Sequence, residues 1–473
     1  MENYALYIAG NFIDTAEQLT VTNPFDNSII AKVSIGGKEE INKAIEKAQL
    51  VREELQNLPS YKRYEILRFL SDRLKQKQKY YTEILSAESG KPMRYAMGEI
   101  ARASQTFLVA AEESKRLPKE YINLDWTPTG ENKEGIVKYF PVGIIAGITP
   151  FNFPMNLAVH KIAPAIASGC PIIVKPASKT PLSVLELAKL IDQTDLPKGA
   201  FSAIPTNREA GDMLVTDDRI SLLSFTGSPA VGWKMKSRAG RKKVVLELGG
   251  NAGVIVSESA NIEKAVERCV VGGFAYSGQV CIHTQRIYVH EKIFDAFTRQ
   301  FIQKIKNMQA GNPLDDNTEV SVVIDEQNAQ RINDWINEAI EMGATLLYGG
   351  KREGNFIQPT VLSDTNKKMK VNCMEVFGPV VVLEKIRSFD EGIKEINDTD
   401  FGLQAGVFTN NINEMNRAFN QIEVGGVIIN DVPTFRVDHM PYGGIKNSGL
   451  GREGVKYAIL DMMEPRILVK NIL

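Results

Sequence analysis

Val142-Gly-Ile-Ile-Ala-Gly-Ile148 is an apolar run of strand length. It gives way to Thr149-Pro-Phe-Asn-Phe-Pro154, where two prolines restrict the backbone and remove amide donors. A helix-patterned stretch follows at Leu157–Ser168, then an apolar run at Pro171–Lys175 and a helix pattern at Leu182–Gln193. The alternation continues through Phe201–Ile204, a short helix near Arg208–Leu214, Ile220–Phe225, a helix over Ala230–Lys236 and Val244–Leu248. Strand-length runs separated by helices build βαβ units and a parallel sheet covered on both faces. The expectation is a doubly wound α/β domain, a class that binds ligands beyond the carboxyl ends of its strands.

On the carboxyl side a second α/β section opens at Ala252. Its strands read at Gly253–Val256, Arg286–His290, Val380–Lys385, Gln404–Phe408 and Gly426–Asn430. Helices read over Ile262–Tyr276, Phe294–Met308, Asn328–Met342, Phe389–Asp398 and Asn413–Ile422. On the amino side the first third reads as helical, with apolar residues at helix spacing over Lys38–Gln56, Tyr61–Lys77 and Tyr95–Lys115. No repeat or low-complexity linker separates the two sections, so a shared interface with a ligand cleft is expected between them.

Composition narrows the class. Of 473 residues, 56 are Lys or Arg and 57 Asp or Glu, a net charge of −1 without basic blocks. That balance argues against nucleic acid or an anionic membrane as partner. The 4 cysteines, Cys170, Cys269, Cys281 and Cys373, form no CxxC pair, so neither a disulfide framework nor a metal site of the usual spacing is expected. MENYALYIAG lacks a signal-peptide pattern, and the longest apolar run falls far short of the roughly 20 residues of a membrane span. A soluble, cytoplasmic, multi-domain protein is expected.

Gly449-Leu-Gly-Arg-Glu-Gly454 matches the letters of GxGxxG, but the chain ends at Leu473 and leaves no room for the βαβ unit that gives the motif meaning. Four other segments carry chemistry. Asn152, among its prolines, offers a positioned NH₂ donor of the kind an oxyanion needs, or simply satisfies loop backbone. Lys175, in Val174-Lys-Pro-Ala-Ser178-Lys179, ends a strand and reads as a ribose or phosphate anchor or as a surface lysine. Phe225-Thr-Gly-Ser228 offers amides to a pyrophosphate, or a helix N-cap by Ser228. The fourth is the pair Glu247-Leu-Gly-Gly-Asn251 and Tyr276-Ser-Gly-Gln-Val-Cys281. It places a carboxylate before two glycines and a cysteine that is either a buried filler or a nucleophile. His283 raises a Cys–His hydrolase reading, which finds no matching local signature.

Taken in order, these segments resemble the aldehyde dehydrogenase superfamily over essentially the whole chain. Glu375-Val-Phe-Gly-Pro379 and Pro441-Tyr-Gly-Gly-Ile-Lys-Asn-Ser-Gly449 add two further matches in register. The resemblance implies that Cys281 attacks an aldehyde to give a thiohemiacetal and then a thioester. Asn152 and the Cys281 amide would hold the oxyanion, and Glu247 would activate the hydrolytic water. Lys161 and Glu453 match positions linked to proton relay. For NAD or NADP it implies Lys175 and Glu375 at the riboses, Phe377 behind the nicotinamide ribose, and Ser228 at the pyrophosphate. Gly227 would admit the backbone closely, and Thr149, Pro150, Phe151, Val231 and Leu248 would line the groove.

Two departures sharpen the expectation. Ser178 stands where many NAD-preferring relatives have Glu, and Lys179 follows it, so NADP should be accepted. The stretch Asn430-Asp-Val-Pro-Thr-Phe-Arg436-Val-Asp438-His439-Met-Pro441 looks like relatives acting on lactaldehyde, glyceraldehyde-3-phosphate or phosphonoacetaldehyde. Arg436 is either an anion anchor or a loop salt bridge, and His283 a tunnel or packing residue. Val280, rather than Arg, precedes the nucleophile. Coenzyme A-acylating chemistry and a non-enzymatic role are the rival readings.

The resemblance divides the chain into a cofactor domain (1–120 and 142–247), a catalytic α/β domain (248–454) and a small β oligomerisation element (121–141 and 455–473). That element would join subunits into a homodimer or a dimer of dimers, since Ile467-Leu-Val-Lys470 reads as a strand needing a partner.

Overall fold

The structure, a computed structural model, describes residues 2–472. Among the described residues three sheets organise it, beside a small amino-terminal one and two two-stranded ribbons. The first is an 8-stranded sheet with a parallel centre. Ile144–Ile148 pairs with Ile172–Lys175 on one side and with Ile220–Thr226 on the other. Phe201–Ala203 and Lys243–Glu247 continue the sheet outward in parallel. The strand order therefore reverses at Ile144–Ile148, and the loops after it and after Ile220–Thr226 diverge to open a crevice at their carboxyl ends. Thr149–Phe153 and Gly227–Ser228 occupy those two loops.

Both edges of this sheet are antiparallel. Leu6–Ile8 pairs with Phe201–Ala203 and turns back through Ala9 and Gly10, both at positive φ, to Asn11–Ile13. The first third is thus not wholly helical: strands also occupy Glu2–Tyr4, Gln18–Thr22 and Ile29–Ser34. Segments of three to six residues, one buried throughout and the others of mixed exposure, carry no sustained alternation, and tertiary pairing decides their state. At the other edge Gly449–Leu450 pairs with Leu246 and Glu247. The GxGxxG letters therefore mark a short edge strand of the first sheet ahead of the helix Val455–Asp461.

The second sheet has 7 strands in the spatial order Thr345–Tyr348, Thr360–Ser363, Val380–Ile386, Thr284–His290, Ala252–Val256, Gln404–Phe408 and Gly426–Ile429. Only the first of these pairs antiparallel. Its helices start on side-chain caps from Asn261, Asp325 and Ser388, each satisfying a free first-turn amide. The third sheet is antiparallel and joins Met463–Asn471, Lys133–Pro141 and Lys119–Asn123. The expected tail element, 455–473, divides here. The helix Val455–Asp461 buries Val455 and Ile459 in the core of the first sheet, and only the following strand joins Lys133–Pro141. Its expected end, Leu473, lies with Met1 outside the described residues.

Candidate active site

Between the two large sheets lies a cavity of about 410 Å³. Asn152, Glu247 and Cys281 line it, and so do Pro150, Phe151, Gly227, Ser228, Leu248, Glu375 and Phe377. They come from five separate segments of the chain, and local sequence explains how they converge. Two glycines behind Glu247 make room: a Cβ on Gly249 would stand 2.2 Å from a Glu375 oxygen, and one on Gly250 would stand 2.4 Å from the Cys281 carbonyl oxygen. The Cys281 loop is wound tightly, with Tyr276, Ser277 and Gly278 all at positive φ. Such strain persists where surroundings enforce it, here through the Ser277 hydroxyl, which donates to the Ser321 carbonyl at 2.7 Å. The Asn152 amide donates to the Gln279 carbonyl at 2.9 Å, tying the first-sheet loop to the cysteine loop.

Cys281 is half-buried, and its Sγ lies 3.1 Å from the Tyr442 hydroxyl. Burial pushes the thiol up to about 11, with the Tyr442 hydrogen bond and the Arg436 charge acting against that rise. Glu247 is 3% exposed, and neither carboxylate oxygen has a hydrogen-bond partner among the described residues. Burial first, and the charge of Glu453 second, hold its pKa well above the usual carboxylate range. A carboxyl held this way is, once ionised, a stronger base than an ordinary carboxylate.

Behind it stands a buried charged cluster. Lys161 donates to the hydroxyls of Ser224 at 3.0 Å and Thr226 at 2.8 Å, and lies 3.4 Å from Glu453. Arg436 donates to the other Glu453 oxygen at 2.8 Å and stacks over the Tyr442 ring, 3.7 Å from its centroid. Burial alone would raise the Glu453 pKa, but Lys161 and Arg436 hold it down at about 2. His160 bonds to Asp438 at 2.7 Å, and Arg102 closes that end with a contact of 2.6 Å.

The remaining sequence candidates spread around this centre. Thr149, Lys175, Ser178 and Lys179 sit at the carboxyl edge of the first sheet, where the Thr149 amide donates to the Lys175 carbonyl at 3.1 Å. Ser178 and Lys179 are exposed, and Lys179 reaches Asp325 of the second section at 3.5 Å. Val231 is on the exposed face of the helix Pro229–Arg238. His283 is turned into the protein: its Nε2 lies 2.8 Å from the Gly273 carbonyl, and burial pushes its pKa down to about 4. It does not line the cavity. Asn328, Arg331 and Trp335 do, all from one helix, Glu326–Glu341, whose face the sequence pattern marks only as amphipathic.

These residues fit a nicotinamide dinucleotide. Ser228 occupies the N-cap position of Pro229–Arg238 but makes no capping hydrogen bond, which leaves its hydroxyl and the first-turn amides for a pyrophosphate. Glu375 spends one oxygen on the Gly250 amide at 3.0 Å and keeps the other for a ribose hydroxyl.

The aldehyde dehydrogenase family model matches residues 12–468. The chain belongs to the aldehyde dehydrogenase family. It is an oxidoreductase that converts an aldehyde to its carboxylic acid and passes the hydride to NAD(P). It is 43% identical to a 3-sulfolactaldehyde dehydrogenase of Priestia aryabhattai, covering 100% of this chain and 99% of that one. A lactaldehyde dehydrogenase of Methanococcus aeolicus is 39% identical, over 98% and 100%. Among solved structures, aldehyde dehydrogenase 21 of Physcomitrella patens, in complex with the reaction product succinate, superposes with a TM-score of 0.98 at 44% identity, over 100% and 99%. The glyceraldehyde-3-phosphate dehydrogenase of Methanocaldococcus jannaschii complexed with NADP gives 0.93 at 38%, over 97% and 100%.

Proposed function

We propose that Cys281 is the nucleophile of this oxidation and that the substrate is a short aldehyde bearing an anionic group. The Arg436 side chain is the observation that carries the substrate reading. It is 6% exposed, and its Nε is a buried donor without a partner among the described residues. It packs on the Tyr442 ring, whose hydroxyl lies beside the Cys281 sulfur, and so approaches the site from behind that ring and not from the cavity lining described above. Carboxylate, sulfonate and phosphate oxygens all satisfy such a donor. Sulfolactaldehyde, succinate and glyceraldehyde-3-phosphate, named with the relatives above, each carry one of these groups. Val280 beside the nucleophile adds no second charge, which favours a site not tuned to phosphate alone.

In the reaction the Cys281 sulfur adds to the aldehyde carbon. The carbonyl oxygen takes the electron pair and receives hydrogen bonds from the free N–H of the Asn152 amide and from the Cys281 backbone N–H. Lys175, Ser228, Glu375 and Phe377 would hold the dinucleotide, which when bound supplies the hydride acceptor. Glu247 removes a proton from the water that attacks the thioester, and the C–S bond breaks with its electrons left on sulfur. A positioned base of this kind is worth about 10²–10⁴ in rate. Lys161 and Glu453 carry the proton onward and set the field in which Glu247 ionises. A carboxylate in the cavity favours water over coenzyme A as acyl acceptor.

Ser178 and Lys179, exposed at the sheet edge, support acceptance of NADP. Unpaired edges on both sides of the third sheet, with Tyr121, Ile467, Leu468 and Val469 exposed, support a homodimer or dimer of dimers. Four free thiols fit a cytoplasmic location.

Product analysis without coenzyme A tests the chemistry: acid should form, and Cys281→Ala should abolish it. For the substrate, Arg436→Ala should raise KM for succinic semialdehyde at least about tenfold and leave KM for propanal unchanged. Equal effects on both would reject the anion site.

A further inference from the structure

We propose that Tyr442 is a catalytic residue, a phenol that hydrogen-bonds the sulfur of Cys281 and stabilises it as thiolate. The inference deepens the reading of Cys281 as nucleophile and rests on it.

A half-buried thiol with no imidazole beside it needs another source of activation. Among the described residues Tyr442 is the hydrogen-bond partner of the Cys281 sulfur, at 3.1 Å, and His283 is committed to the Gly273 carbonyl. While ionised, Glu247 cannot supply the missing stabilisation, because its negative charge opposes a second one on sulfur. A donor is what the thiolate requires, and the phenol is one.

The surroundings keep that phenol a donor. Tyr442 is 3% exposed, and burial, followed by the nearby sulfur, holds its own proton on well above the usual range. The Arg436 guanidinium, 3.7 Å from the ring centroid, draws electron density from the ring face and strengthens the O–H as a donor. The placement is enforced from behind. The Tyr442 amide donates to the Glu453 carbonyl at 3.0 Å, and the Glu453 amide returns a bond to the Tyr442 carbonyl at 2.6 Å. The Glu453 carboxylate meanwhile holds Arg436 over the ring. One short antiparallel bridge thus positions ring, cation and counter-charge together.

The phenol acts twice without losing its proton. Before attack the thiol proton leaves to water or to Glu247, and Tyr442 donates to the resulting thiolate until its electron pair forms the C–S bond. In hydrolysis the attacking water loses a proton to Glu247 and bonds to the acyl carbon. The C–S bond breaks, and Tyr442 again donates to the departing sulfur. No external oxidant or reductant enters either step.

Alkylation of Cys281 by iodoacetamide, followed across pH and located by mass spectrometry, reads thiolate formation without cofactor or aldehyde. Below the thiol pKa the rate tracks the thiolate fraction. Tyr442→Phe keeps the ring under Arg436 and removes the hydroxyl. It should slow alkylation about tenfold at pH 8 and shift the pH profile upward by about one unit. Site-specific 3-fluorotyrosine at 442, a more acidic phenol, should move the profile the other way. If Tyr442→Phe fails to fold, the fluorotyrosine protein alone decides. Profiles that stay in place for the folded variants overturn the proposal. A Cys281→Ala protein that still turns over aldehyde would instead overturn the nucleophile assignment, so the two failures are separable.

Discussion

The Lys91 ammonium stands 3.7 Å from the centroid of the Phe153 ring, on the residue that follows Asn152. The same ammonium lies 4.4 Å from the Tyr276 ring, at the start of the loop that carries Cys281. Lys91 is paired with Glu99, and neither side chain has any exposure. Glu99 in turn accepts the first-turn amides of Met155 at 3.0 Å and Asn156 at 3.1 Å, at the start of the helix Pro154–Ser168. One buried cation therefore braces the Asn152 loop against the Cys281 loop. Lys91→Met leaves Glu99 buried without its counter-charge and should destabilise the protein by about 3–5 kcal/mol in denaturant titration. Where it folds, kcat should fall more than KM rises, since the reacting groups and not the binding groups lose register.

Glu247 binds its proton more tightly in the folded protein than in the unfolded chain, because burial and Glu453 oppose its ionisation. The unfolded chain releases that proton first as pH rises, so stability falls as pH rises from the ordinary carboxylate range through the raised folded value. Glu247→Gln removes this slope. Its apparent Tm should exceed that of the parent at pH 8 and converge with it near pH 4. In the same variant deacylation should slow about 10²-fold or more, trapping acyl-enzyme that mass spectrometry detects. Equal Tm differences at both pH values would contradict the assignment of the raised pKa.

Ser178→Glu places a carboxylate beside the ribose 2′ position expected from the sheet edge. Repulsion of a 2′-phosphate and a hydrogen bond to a free 2′-hydroxyl should together move the ratio of kcat/KM from NADP toward NAD by about tenfold or more. An unchanged ratio would place the adenosine ribose elsewhere.

His283 is neutral and bound to the Gly273 carbonyl, outside the cavity lining. His283→Leu should therefore cost about 1–3 kcal/mol of stability from the carbonyl left unpaired, and leave KM for every aldehyde tested unchanged. A substrate-dependent change in KM would return it to the substrate site.

The parallel core was legible because each strand is a short apolar run closed by a turn, as at Ile144–Ile148 and Lys243–Glu247. Glu247 and Cys281 stood out for the same reason, at strand or helix ends with glycines beside them. The amino-terminal hairpin Leu6–Ile13 was not, since strands of three residues are stable only through the partner Phe201–Ala203. Lys91 and Glu99 look like charges on an amphipathic surface until the fold covers them. The roles of Tyr442 and Arg436 depend on contacts that no spacing encodes, with Lys161 from the first sheet's helix meeting Glu453 from near the end of the chain.

The pairing of Gly449–Leu450 with Leu246 and Glu247 has a consequence for how the protein is made. Lys243–Glu247 is an outer strand of the first sheet, and its cover is encoded about 200 residues downstream; at about 5–20 residues per second, the ribosome takes about 10–40 s to deliver it. For that interval the nascent chain presents an open strand edge beside a half-built cleft, the kind of surface that recruits holding chaperones or seeds aggregation. Yield on expression should therefore depend on translation speed between these two segments even where the finished enzyme is equally stable.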